Sequence, residues 1–143
     1  MVVDDEVEMR IALETTLKRE GHSVTLAENG EQALERLSEG AFDLVLTDVK
    51  MPKMNGVELL KTLKKKSSQA VAIMMTAYGD IDNAVETMKA GAFDYLLKPF
   101  SAEILIATVN RAFLDKSSTK NEFVRRAPEI SKTPDQERRI ITQ

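Results

Sequence analysis

Asp4-Asp5-Glu6, Thr47-Asp48, Thr76-Ala77 and Lys98-Pro99 are the stretches whose side chains could do chemistry together. Asp4, Asp5 and Asp48, if neighbours, repel one another, and at least one would be driven toward protonation. A divalent cation removes that conflict. With no Cys in the chain and no His nearby, oxygen-only ligands select a hard ion. Mg²⁺ is favoured over Ca²⁺, since it usually binds through one or two carboxylates plus water and phosphate. A cation, a carboxylate and the Lys98 ammonium are the parts that hold a phosphoryl group in transfer. That transfer is mainly positioning and neutralisation of oxygen charge. Asp48 is the nucleophile candidate, because carboxylates form aspartyl-phosphates.

Taken one at a time, these residues have plainer explanations. An Asp-Asp pair is usually a solvated turn, and Asp4 or Asp5 suits the N-cap of a helix. A single Thr at a strand end is usually structural, and a lone Lys is usually a surface charge, as Lys64-Lys65-Lys66 is read here. The combination is what argues for chemistry. It depends on the fold placing the stretches together.

Five short apolar runs supply strands: Met1–Val3, Val24–Ala27, Leu44–Leu46, Ala70–Met75 and Tyr95–Leu97. Most are continuous and not alternating, the pattern of strands buried on both faces. Helical spacing fills the intervals. Met9, Ala12, Leu13, Thr16 and Leu17 make one face of a first helix ending near Gly21. Ala33, Leu34 and Leu37 mark a second, opened by Asn29 with Gln32 as a variant capping box. Leu59, Leu60 and Leu63 mark a third after Asn55-Gly56. Ile81, Ala84, Val85 and Met88 mark a fourth, with Asp80 as N-cap and Gly91 as stop. Ser101 caps a fifth that runs to about Leu114. Strand–helix alternation predicts a doubly wound α/β fold, (β/α)5 and flavodoxin-like, with a five-stranded parallel sheet in the order 2-1-3-4-5. Ligands of such sheets bind beyond the carboxyl ends of the strands, where all four stretches would lie.

The chain of 143 residues is 43% hydrophobic and 30% charged, enough for one domain with a core. No apolar run is long enough to cross a bilayer, and no signal peptide is visible, so a cytoplasmic location is expected. A net charge of −3 gives no general attraction to nucleic acid or membrane. Residues 116–143, with Pro128 and Pro134, read as a polar linker after a domain at 1–115, leading toward a missing effector. His22 lacks a partner at catalytic or metal spacing and is read as structural. The seven Met residues are read as core filler.

Val2-Val3-Asp4-Asp5-Glu6, Asp48-Val49-Lys50-Met51-Pro52-Lys53-Met54-Asn55-Gly56, Met75-Thr76-Ala77-Tyr78 and Lys98-Pro99-Phe100 together resemble the receiver domains of two-component response regulators, over residues 1 to about 115. The resemblance implies that Asp48 accepts a phosphoryl group from a sensor histidine kinase or a small donor such as acetyl phosphate. It implies Mg²⁺, with Mn²⁺ able to substitute, on Asp5, Asp48 and the Lys50 backbone carbonyl, with Asp4 acting through water. Lys98 would meet the phosphoryl oxygens and join Pro99 by a cis bond. Thr76 and Tyr95 would be the switch pair, and the face of helix four, strand five and helix five the readout. Tyr78 and Lys50 lie where they would shield or admit the attacking water. Tyr78-Gly79-Asp80 and Gly91-Ala92-Phe93-Asp94-Tyr95-Leu96 are similar to receivers of the nitrogen-regulation type. Those precede an ATPase that activates transcription with the alternative sigma factor, and Ile140–Gln143 would be its first residues.

The fifth helix is apolar nearly all round, through Ile104, Leu105, Ile106, Ala107, Val109, Ala112, Phe113 and Leu114. A homodimer through helix four, strand five and helix five is expected from that surplus. The chain is read as a phosphoacceptor acting only on itself, not as an enzyme. One departure from the family is the first strand, where only Met1, Val2 and Val3 precede Asp4, which predicts weak pairing. Within the family, a stand-alone receiver acting by protein contact is the alternative. A haloacid-dehalogenase-type phosphatase fits less well, since it resembles Asp-x-Asp after the first strand and needs a cap insertion. A flavodoxin-like cofactor binder fits poorly, because Asp4-Asp5-Glu6 would repel its phosphate.

Overall fold

Five strands pair side by side in parallel, in the order β2-β1-β3-β4-β5, as expected from the alternation of strand and helix. They are β1 (Val2–Val3), β2 (Leu26–Ala27), β3 (Leu44–Asp48), β4 (Val71–Ala77) and β5 (Asp94–Lys98). The helices between and after them are α1 (Val7–Arg19), α2 (Gly30–Glu39), α3 (Gly56–Lys65), α4 (Ile81–Lys89) and α5 (Ala102–Lys120). The computed structural model describes residues 1–51, 53–66, 69–77 and 81–120, without the side chains of 81–83 and 115–120.

The period-2 alternation of strand side chains sorts the core into two layers. Val2, Leu46, Ile73, Met75 and Leu96 pack with Leu13 and Leu17 of α1 and Leu105, Val109 and Ala112 of α5. Val3 and Val45 face the other way, against Ala33 of α2 and Leu59 and Leu63 of α3. Ala72 and Met74 continue that second layer with Val57 and Leu60. The continuous apolar runs are thus two interleaved stripes, each covered by helices.

The helix starts follow local chemistry. Asn55 accepts from the Glu58 N–H while Glu58 accepts from the Asn55 N–H, a full capping box at α3. At α2, Asn29 accepts from the Gln32 N–H, but Gln32 reaches back to the Glu28 N–H, one residue earlier than a standard box. Ser101 Oγ accepts from the Ile104 N–H at the start of α5. Gly91, at φ 106°, follows α4 in a backbone region that costs glycine little.

Several elements differ from the sequence expectation. β1 has only two residues, yet it pairs on both sides, Val2 opposite Leu26 and Leu46. β2 begins at Leu26 and not at Val24, and β4 continues past Met75 to Ala77. β5 is an edge strand covered on one side only, so it alternates: Leu96 is buried while Tyr95 and Leu97 are open. α5 runs to Lys120, so the start of the expected linker is helical. The rest of that stretch, 121–143, lies outside the described residues, as do Asp80 and Tyr78. On α1, Ala12 is exposed and Arg10 takes a place on the buried face. Met1, Met74 and Met75 are core residues as expected, but Met88 is exposed. His22 stacks on Phe113, with ring centroids 5.4 Å apart.

Candidate phosphoacceptor and cation site

The strand ends do meet. Asp4 follows β1 directly, and Asp48 closes β3 opposite Met75. That register sets Thr76 one residue further along β4, while Lys98 closes β5 opposite Ala77. All four therefore share the carboxyl edge of the sheet.

Asp4, Asp5 and Asp48 each offer a carboxylate oxygen, and these atoms lie within 4.8 Å of one another. Asp4 is fully buried and Asp48 nearly so, whereas Asp5 is exposed. Lys98 Nζ donates to Asp4 Oδ2 at 3.1 Å and to Asp48 Oδ2 at 3.2 Å, with Glu6 Oε1 at 3.7 Å. One ammonium thus bridges two acidic strand ends. The Lys98–Pro99 peptide bond is cis.

The electrostatics follow from this crowding. Burial raises the Asp48 pKa above its usual 3.8; Lys98 opposes the rise, and the charges of Asp4 and Asp5 add to it. Burial alone would lower Lys98, but its hydrogen bonds and charge attraction to Asp4 and Asp48 outweigh that, so its pKa is raised above 10.5. Lys98 stays charged and Asp48 is the strained partner. The cluster holds more negative charge than one ammonium neutralises, a balance that a cation corrects.

The donor set fits Mg²⁺. All the donors are oxygens, and Mg²⁺ ligands at about 2.0–2.1 Å span at most about 4.2 Å across the ion. Carboxylate oxygens within 4.8 Å of one another are near enough to share one such ion once their side chains draw in, or with one carboxylate reaching through water.

The loop after β3 is fixed from both sides. The Val49 N–H donates to Met75 O and its carbonyl accepts from the Gly56 N–H, which sets the chain just before the exposed Lys50. A Cβ on Gly56 would lie 2.4 Å from the Asp48 carbonyl oxygen, so the start of α3 approaches Asp48 as only glycine allows. Thr76 Oγ1 is buried and has no hydrogen-bond partner among the described residues. Tyr95 lies on the open side of β5, 36% exposed.

Neither Asp4 nor Asp5 is the N-cap of α1, and Asp4 is buried where a solvated turn would leave it open. Asp4 Oδ1 accepts from the Glu6 N–H at 2.9 Å, steadying the turn into α1 although Glu6 is the N-cap. Sequence reasoning missed Arg10, whose Nη1 donates to the Asp4 carbonyl at 2.6 Å. The signal was there: Arg10, Leu13 and Leu17 share one helical stripe, and a cation on a core stripe calls for a partner.

A family model described as the response regulator receiver domain matches residues 1–110. Transcriptional regulatory protein ZraR of Klebsiella oxytoca is 44% identical over 112 residues, covering 78% of this chain and 25% of that protein. DNA-binding transcriptional regulator NtrC of Escherichia coli (strain K12) is 43% identical over 111 residues, 78% of this chain and 24% of the relative. The chain therefore spans about a quarter of the length of these curated relatives. Among solved structures, the receiver domain of NtrX from Brucella abortus superposes with a TM-score of 0.75 at 34% identity, covering 78% of this chain and 94% of that one. A response regulator receiver domain protein from Clostridium thermocellum gives 0.76 at 36% identity, covering 81% and 94%.

Proposed function

From the premise that this chain belongs to the response regulator receiver domain family, we propose that it is a phosphorylation-switched input module whose acceptor is Asp48. The observation that carries this reading is the Lys98 ammonium bridging Asp4 and Asp48 inside a three-carboxylate cluster.

In the proposed step an Asp48 carboxylate oxygen attacks phosphorus. An O–P bond forms as the bond from phosphorus to the donor breaks, and the donor leaves as imidazole or, from acetyl phosphate, as acetate. The donor class is the phosphohistidine of a sensor kinase or a small acyl phosphate. Asp5, Asp48 and the Lys50 carbonyl would hold Mg²⁺, with Asp4 through water; Mn²⁺ suits the same oxygens. When bound, the ion neutralises charge on the acidic edge and on the transferring oxygens. Lys98 moves from carboxylate to phosphoryl oxygen as charge builds there, and its position within 3.2 Å of Asp48 supports that role.

Phosphorylation adds roughly −1.5 to −2 charge and new acceptor oxygens. Thr76 Oγ1, without a partner among the described residues, gains one by turning to the phosphoryl group. Its movement frees space that the Tyr95 ring takes up, which shifts an existing equilibrium of the β4–α4 and β5 region. Exposed apolar side chains on this side, Val85 and Met88 of α4, Tyr95 and Leu97 of β5 and Ile104 of α5, support its use as readout and dimer face.

The curated relatives named above are transcription regulators about four times as long, so the effector we propose is a transcription-activating one of the nitrogen-regulation type. Among the described residues no helix is long and apolar enough to cross a membrane. The test is intact mass after incubation with acetyl phosphate and Mg²⁺. Wild type gains one phosphoryl group and Asp48→Asn none; an adduct surviving in Asp48→Asn moves the acceptor elsewhere.

A further inference from the structure

We propose that Arg10 is a positioning residue for the cation site: it fixes the Asp4–Asp5 peptide so that Asp5 is presented to the ion, with Glu28 as its second anchor. The proposal rests on the metal-dependent reading above.

Arg10 stands where a cation is unfavourable twice over. It lies in the N-terminal part of α1, at the positive end of the helix dipole, and it is 9% exposed. A buried guanidinium persists when it is paired and hydrogen-bonded. Nη1 donates to the Asp4 carbonyl at 2.6 Å, and Nη2 lies 3.6 Å from Glu28 Oε1. Glu28 is itself held by Gln32, whose Nε2 donates to Glu28 Oε2 at 3.2 Å. The guanidinium thereby ties the end of β1 to the end of β2 and to the cap of α2.

Every polar atom of Asp4 is engaged. Its N–H donates to Ala27 O, Oδ1 accepts from Glu6, Oδ2 accepts from Lys98, and the carbonyl accepts from Arg10. Asp5 differs. Its carboxylate is exposed and has no hydrogen bond among the described residues, so its direction is set through the backbone. The carbonyl that Arg10 holds belongs to the peptide joining Asp4 to Asp5. Releasing it lets that peptide rotate and carries the Asp5 carboxylate away from Asp48. Arg10 touches neither ion nor phosphoryl group and acts through Asp5.

The experiment is titration of the whole chain with MgCl₂ alone, followed by calorimetry, for wild type, Arg10→Ala, Arg10→Lys and Glu28→Gln. Metal-free melting is recorded for each. Outer-shell substitutions typically cost 10–100-fold in metal affinity. Arg10→Ala is expected to weaken Mg²⁺ about 10-fold, and Arg10→Lys, which keeps one donor for the carbonyl, to recover most of it. A lower melting temperature with an unchanged Mg²⁺ dissociation constant would assign Arg10 a purely structural part and overturn the proposal. If Arg10→Ala does not fold, Glu28→Gln decides: a weaker Mg²⁺ affinity supports the anchor, and an unchanged one overturns it. Wild type that takes up no Mg²⁺ sinks the cation reading itself, whereas wild-type binding matched by Arg10→Ala sinks this inference alone.

Discussion

Lys98 Nζ lies 3.2 Å from Asp48 Oδ2, a contact joining residues 50 positions apart in sequence. The same nitrogen meets the fully buried Asp4, so removing it strands two carboxylates at once. Breaking a buried ion pair by deleting one partner costs about 3–5 kcal/mol. The pair here keeps some solvent access, so Lys98→Ala is expected to cost less, about 2 kcal/mol. Added Mg²⁺ should restore part of that stability. Phosphorylation by acetyl phosphate should still fall at least about 10-fold, because one charge-stabilising donor is worth about that or more. Denaturant melts with and without Mg²⁺, and the rate of mass gain, check both halves.

The raised Asp48 pKa has a defined consequence for stability. The folded state keeps this proton to a higher pH than the unfolded chain, where the group titrates near 3.8. Stability contributed by the protonated form is present below 3.8 and is lost as pH climbs through the higher folded value. The difference between wild type and Asp48→Asn isolates this group. That difference should grow against the wild type as pH rises from about 3.8 without metal. Saturating Mg²⁺ should shrink it, since the ion favours ionised Asp48. Urea midpoints at a series of pH values give the answer.

Thr76 carries a buried hydroxyl without a partner among the described residues, and an unsatisfied buried group costs about 1–3 kcal/mol. Thr76→Val keeps the shape and removes that group. The unphosphorylated protein is expected to gain about 1 kcal/mol, a reversal of the usual outcome for a core substitution. The response to beryllofluoride should be lost at the same time. Thermal melting together with the NMR shift of the Tyr95 ring separates the two effects. A loss of stability in Thr76→Val would mean that the hydroxyl already has a partner.

Much of this was legible in sequence because the physics is local. Alternation of apolar runs and helical spacing yields a parallel sheet covered by helices on both faces, and Asn55, Asn29 and Ser101 mark helix starts through their own side chains. Asp4, Asp48, Thr76 and Lys98 converge because strand ends must converge in such a sheet. What sequence reading missed depends on three-dimensional context. Tyr95 and Leu97 look as apolar as the residues of β3, and only their place on an edge strand opens them to solvent. The last turns of α5 have no apolar face to announce them. Arg10 passed unnoticed because a charged residue reads as surface until its stripe is drawn out with Leu13 and Leu17.

Gly56 should tolerate no side chain. A Cβ there would come within 2.4 Å of the Asp48 carbonyl oxygen and 3.0 Å of Val49 Cα, and backbone cannot step aside as a flexible side chain can. Gly56→Ala is expected to destabilise by roughly 1–3 kcal/mol or more, as overpacking does. The relaxation must move β3's end or the start of α3, so Asp48 should also lose acceptor rate. Gly40→Ala is the control, since nothing among the described residues lies within 4 Å of its added Cβ. Parallel melts and acetyl phosphate reactions on the two variants compare a glycine in open space with one pressed against Asp48.

The open side of β5 sets the last expectation. Ile104 of α5 is 53% exposed beside Leu97 at 43% and Tyr95 at 36%, with Val85 and Met88 of α4 also open. The apolar surplus expected of α5 therefore lies with Ile104 and Leu114, while Leu105, Val109 and Ala112 are already used by the core. Burying one such aliphatic side chain in an interface contributes roughly 1.5–3 kcal/mol, and a symmetric dimer buries each twice. Ile104→Glu should leave the fold intact, because its side chain is more than half exposed, yet weaken self-association by at least about 100-fold. Sedimentation with and without beryllofluoride measures this directly. A wild-type chain that stays monomeric at high concentration in both conditions would exclude the dimer, and an Ile104→Glu dimer as tight as wild type would move it to another face.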